Sequence, residues 1–145
     1  MITIVANVQY DFGLREKFED YNLVHHLSHL GIHLIPAACE QGIKALRETE
    51  KVDVLIVDYH SKNCSEDIER LCRELHPTAR LVSINHKYTW MNDEEREEFK
   101  SRYDHVHPGY EGVANWLIGE VLQKFGLSSE ETTRTIFWLH QRGKF

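Results

Sequence analysis

Short, nearly continuous apolar runs alternate along the chain with longer stretches in which apolar residues recur every three or four positions. The runs read as strands: Ile2 to Asn7, Ile32 to Ala37, Val52 to Asp58, Ala79 to Ile84 and Tyr103 to His107. The periodic stretches read as helices. Phe18, Tyr21, Val24 and Leu27 place one from Asp11 to about Leu30, and Gly31 is suited to end it in a left-handed conformation. Ile43 and Leu46 mark a second, from Glu40 to Glu50. Ile68, Leu71, Cys72 and Leu75 mark a third that starts at Ser65 and stops before Pro77. Asn92 to Arg102 is strongly charged, and Phe99 is its anchor. Val113, Trp116, Leu117, Val121 and Leu122 define a helix from Gly112 to Phe125. A last helix spans about Ser129 to Gln141. Ser128 and Glu131 have capping-box spacing there, and Glu130, Glu131, Arg142 and Lys144 complement its dipole.

Five strands alternating with five helices imply a parallel sheet covered on both faces. Right-handed crossovers leave few topologies. The simplest is an α/β, flavodoxin-like (βα)5 doubly wound sheet of order 2-1-3-4-5, with one additional C-terminal helix. The expected division is a domain over 1–126 and a helical extension over 127–145, packed on it or at an interface. The topological switch point then lies at the carboxyl ends of the first and third strands. Asn7, Asp58, Ser83 and His107 are expected to meet there.

At 145 residues the chain is long enough for one domain with a full core. A net charge of -6 without a basic stripe argues against nucleic-acid binding. No signal-like or membrane-spanning segment stands out, so a soluble cytoplasmic protein is expected. Cys39, Cys64 and Cys72 form no CxxC and are expected to be reduced, with Cys72 facing the core.

The stretch from Leu27 to Asp58, LSHLGIHLIPAACEQGIKALRETEKVDVLIVD, resembles response-regulator receiver domains from the end of their first helix to the phosphoacceptor. Gly31, Ala37-Ala38, Ala45-Leu46 and Asp53 fall in expected places, and the likeness extends over roughly residues 1 to 125. It implies that Asp58 is the phosphoacceptor position. It also implies that Ser83 is the switch hydroxyl and that His107-Pro108 replaces the family's Lys-Pro pair. The family's two metal-holding acids correspond to Ala6 and Asn7, and His60-Ser61-Lys62 stands where Met-Pro is common.

These departures bear on chemistry. Magnesium wants several oxygen ligands, carboxylates above all, and it neutralises charge as a phosphoryl group moves. With Asn7 neutral, Asp58 supplies one anion where the family supplies three. A histidine with an ordinary pKa of about 6.5 is mostly neutral near physiological pH, and His107 is shorter than lysine. Asp11 is better read as a helix cap than as a substitute ligand. No cofactor is therefore expected, and magnesium only where phosphorylation is retained.

The ten histidines raise a metal reading. Asp58, His60 and His107 are a weak candidate set, but no standard ligand spacing occurs and scattered surface histidines are the plainer explanation. His25 and His29 share a helical face at i, i+4, where a solvated surface is the default. DYHSKN faintly resembles a cobalamin-binding motif but follows the wrong strand and lacks the glycine. No P-loop or GxGxxG is present.

Tyr88, Trp90 and Phe99, together with Trp138 in the last helix, are candidate interaction residues. Aromatic anchors beside the acidic run Asp93 to Glu98 have an interface composition. The leading expectation is a non-enzymatic, stand-alone atypical receiver that signals by protein-protein contact without magnesium-dependent phosphorylation, with a kinase or signalling protein as partner and a homodimer in reach. One alternative is a receiver still phosphorylated on Asp58 in a two-component phosphorelay. The other is a flavodoxin-like domain that binds a small ligand or transition metal at the carboxyl edge.

Overall fold

The apolar runs become the strands of one five-stranded sheet in a computed structural model. It describes residues 2–7, 21–37, 39–58, 62–85 and 87–107, with 128, 130, 131, 133, 134 and 137 beyond them. For 21–23, 26, 39, 58, 62, 63, 65 and 107 it describes the backbone alone. The order is β1 (Ile2–Asn7), α1 (Tyr21–His29), β2 (Ile32–Pro36), α2 (Cys39–Glu48), β3 (Val54–Asp58) and α3 (Lys62–Leu75). There follow β4 (Arg80–Ile84), a 3-10 turn (Tyr88–Trp90), α4 (Asp93–Arg102) and β5 (His105–His107). The sheet order is β2-β1-β3-β4-β5 with every pair parallel. This is the doubly wound α/β architecture that the alternation implies.

Both faces of the sheet are covered, which is why its central strands carry apolar residues at successive positions rather than at alternate ones. Val5, Leu55, Val57 and Leu81 pack with Leu46 of α2, with Ile68 and Cys72 of α3, and with Phe99 and Tyr103. The alternate positions Ile4, Val54, Ile56, Val82 and Ile84 are equally buried. Gly31 has φ +78°, a conformation that favours glycine, and it turns the chain from α1 into β2. The amide of Ile2 donates to its carbonyl at 2.8 Å.

Several boundaries shift from expectation for local reasons. β3 begins at Val54 because the Val52 amide donates to Nδ1 of His76 and the Asp53 amide to the Thr3 carbonyl. α3 begins at Lys62, ahead of Ser65. Leu75 is 46 % exposed, so the apolar stripe of α3 ends at Cys72. β5 begins at His105 because Tyr103 is the C-cap of α4. Asn92 caps α4 with both bonds of a capping box. The 3-10 turn is too short to leave a periodic signal.

Cys72 is buried and free, as expected, but Cys64 is disulfide-bonded, which corrects the expectation that all three cysteines are reduced. Residues 130, 131, 133, 134 and 137 are helical, and the Glu131 amide donates to Oγ of Ser128 at 3.1 Å. The first part of the helix expected from Asp11 to about Leu30, the helix expected over Gly112 to Phe125, and Trp138 lie outside the described residues. No helix among the described residues is long and apolar enough to cross a membrane.

The carboxyl edge as candidate functional site

Parallel strands deliver their last residues to one edge, and register decides which of them are neighbours. Asn7, Val57 and Ser83 form one row across β1, β3 and β4. Asp58, Ile84 and His107 form the next row, across β3, β4 and β5. The backbones of all four expected site residues therefore end at this edge. The side chains of Asp58 and His107, and all of His60, lie outside the described residues, so the candidate Asp58, His60, His107 set is not placed. Among the described residues no group of three or more His, Cys, Asp or Glu side chains is arranged to hold a metal ion.

Asn7 is fully buried, and neither Oδ1 nor Nδ2 has a hydrogen-bond partner among the described residues. Ser83 is likewise fully buried, with its Oγ unpartnered among the described residues. Asn85, which follows β4 and is 1 % exposed, accepts the Lys87 amide at Oδ1 but leaves Nδ2 unpaired. A buried polar group without a partner carries a desolvation cost of about 1–3 kcal/mol. Four such atoms on three residues at one edge are the kind of concentration expected where a structure is kept for function. Asn85 escaped the sequence pattern. Its one signal is a polar side chain directly after a buried strand at the carboxyl edge.

Gly42 brings α2 close to Asn7: a Cβ there would meet Oδ1 of Asn7 at 3.4 Å and Cδ1 of Ile68 at 3.1 Å. The Asn7 side chain thus lies close to the backbone of α2. Ala6 is fully buried on the alternate row and offers no ligand atom. Magnesium favours several oxygen ligands, carboxylates above all. Asn7 presents one neutral oxygen where a carboxylate is wanted, and its other orphan is an N–H donor that repels a cation.

Other candidates separate by burial. Phe99 is 5 % exposed and stacks against Tyr103 at 4.9 Å between ring centroids, so it belongs to the core rather than to a docking surface. Its place on the inward face of α4 is what removes it from contact with partners. Trp90 is 80 % exposed, and Tyr88 is half-buried against Phe99. Burial pushes the Cys72 thiol up to about 11, so it stays protonated and unreactive.

A cavity of about 270 Å³ lies at the opposite edge, lined by Arg73, His76, Leu81, Arg102, Tyr103 and Asp104. Its polar groups are engaged with one another and with neighbouring backbone. Glu69 accepts from Arg73 and Arg102 at 3.2 Å each and from the Tyr103 hydroxyl at 2.8 Å. The cavity is a seam in a structural network, remote from the carboxyl edge.

The backbone also matches a solved structure. A crystal structure of a response regulator from Thermotoga maritima aligns with a TM-score of 0.51 at 14% identity, over 74% of this chain and 83% of that one. The chain has a response-regulator receiver fold. A response regulator protein from Burkholderia pseudomallei, solved with a phosphorylated aspartic acid, calcium ion and citrate, aligns with a TM-score of 0.47 at 16% identity, over 99% of this chain and 86% of that one. No family model and no curated protein matches the sequence. At such identities the likeness is one of fold, and function has to be argued from the site.

Proposed function

We propose that this receiver-fold domain acts in signal transduction through protein-protein contact, as a non-enzymatic module without magnesium-dependent phosphorylation. The observation that carries the reading is the buried carboxamide of Asn7, at the strand end where the receiver resemblance expects an acid. Without that acid, charge on a transferring phosphoryl group has no adequate counter-ion. A transfer that depends on electrostatic stabilisation is then deprived of its main support.

The surface before and along α4 supports the contact half of the reading. Trp90 is 80 % exposed, and Asp93, Glu94, Glu97 and Glu98 are exposed on the helix that follows it. Two cations of the same helix, Arg96 and Lys100, lie against the 3-10 turn. Arg96 donates to the carbonyls of Tyr88 and Thr89 at 3.1 Å and 2.6 Å. Lys100 is held charged above the ordinary lysine range by its hydrogen bond to Tyr88. An aromatic anchor with an acidic rim is an interface composition, and a signalling protein is the partner class it fits.

Incubation with a small phosphodonor and magnesium tests the reading by intact mass. No phosphoryl gain is expected. A gain that disappears in Asp58→Asn would instead establish a phosphorelay receiver. A second reading is favoured by the three unpaired donors Asn7 Nδ2, Ser83 Oγ and Asn85 Nδ2. They suit a small ligand rich in acceptor oxygens. A melting shift with inorganic phosphate that Ser83→Ala abolishes would favour it over docking alone.

A further inference from the structure

The outer face of α1 carries a feature that the receiver-type reading does not use. His25 and His29 stand one helical turn apart, both exposed, near the end of the helix that leads into β2. Their Nε2 atoms approach to 3.0 Å, and their rings meet edge to face with centroids 4.5 Å apart. Helical i, i+4 spacing alone brings two side chains to the same side. It does not bring two ring nitrogens to contact distance. Two imidazole nitrogens this close have to share something between them, and the choices are a proton or a cation.

We propose that His25 and His29 chelate a divalent first-row transition ion through their two Nε2 atoms. Metal-to-imidazole bonds run to about 2.0–2.1 Å. Two nitrogens 3.0 Å apart, each at that distance from one ion, subtend about 90° at the metal. That is the cis angle of a square-planar, tetragonal or octahedral ion. A tetrahedral ion such as zinc in a structural site wants a wider one. The geometry therefore selects copper(II) or nickel(II) over zinc, in the same direction as the general affinity order for nitrogen ligands. The χ2 torsion of histidine is broad, so each ring can turn its lone pair toward a common ion within its rotamer well. The site is half-built: the chain supplies two ligands one helical turn apart.

The test is copper(II) titration of the whole protein, read by calorimetry and by electron paramagnetic resonance. Nickel(II) and zinc(II) are run in parallel. His25→Gln and His29→Gln are the test variants, and His33→Gln is the control, since His33 is also exposed but lies on β2. The expected result is a copper signal with two equivalent imidazole nitrogens and an affinity order copper, nickel, zinc. Either test variant should weaken copper binding by about tenfold or more, because the second nitrogen no longer acts at the high effective concentration the helix imposes. The control should bind as the parent does. Circular dichroism identifies any variant that has lost the helix. Failure of the parent to take up copper would show that the pair shares only a proton and would overturn the proposal. Uptake unchanged in both test variants would do the same by placing the ion on other histidines.

Discussion

The two edges of the sheet treat buried polar groups in opposite ways. At the amino edge each one is engaged. Asp53 accepts the Thr3 amide and Asp104 the Leu81 amide, each at 2.8 Å, so two acids just ahead of β3 and β5 close the gaps between neighbouring strands. His76 accepts the Val52 amide at Nδ1 and, in the tautomer this requires, donates from Nε2 to the Leu46 carbonyl at 2.8 Å. Glu69 gathers Arg73, Arg102 and Tyr103. At the carboxyl edge Asn7, Ser83 and Asn85 are as deeply buried, yet each leaves polar atoms unpaired. The desolvation costs are the same at both edges, and we propose that the carboxyl edge gives up stability to keep a site.

Substitutions should separate the edges by size of effect. Glu69→Ala removes the acceptor of a buried tyrosine hydroxyl and two guanidinium groups and should cost about 2–3 kcal/mol in urea unfolding. His76→Ala strands one buried amide and one carbonyl that are distant in sequence, for about 2 kcal/mol by the same measurement. Asp53→Ala or Asp104→Ala loses a single strand-bridging bond and should cost about 1 kcal/mol. Ser83→Ala removes an unpaired hydroxyl and should change stability by less than about 0.5 kcal/mol, or raise it. A large loss at Ser83 together with a negligible one at Glu69 would break the contrast between the edges.

The frame of the molecule was legible because central parallel strands are buried on both faces, so that runs such as VDVLIVD need no periodicity to be recognised. Gly31 was legible because its role is local: a left-handed turn that ends a helix. The amino-edge network was not. His76 pairs with groups 24 and 30 residues away, and Glu69 with residues 33 and 34 away, distances at which local pattern is silent. Leu75 is exposed against expectation for the same reason, since packing between elements decides which face of a helix is covered, whereas Phe99 is the buried anchor that its helix pattern implied. The approach of His25 to His29 was legible as spacing and not as distance. Of the carboxyl edge, residue types and strand positions could be read. That Asn7 and Ser83 are buried without partners could not, because satisfaction of a polar atom depends on every element around it.

The most direct measurement is magnesium binding at the carboxyl edge, followed by calorimetry and melting temperature in the parent and in Asn7→Asp. The parent should show no saturable heat and no melting shift. Asn7→Asp should be less stable without metal, because it buries a charge, and should gain a magnesium-dependent rise in melting temperature. Saturable magnesium binding by the parent, abolished in Asp58→Asn, would contradict the proposal that this edge has lost metal-dependent phosphorylation.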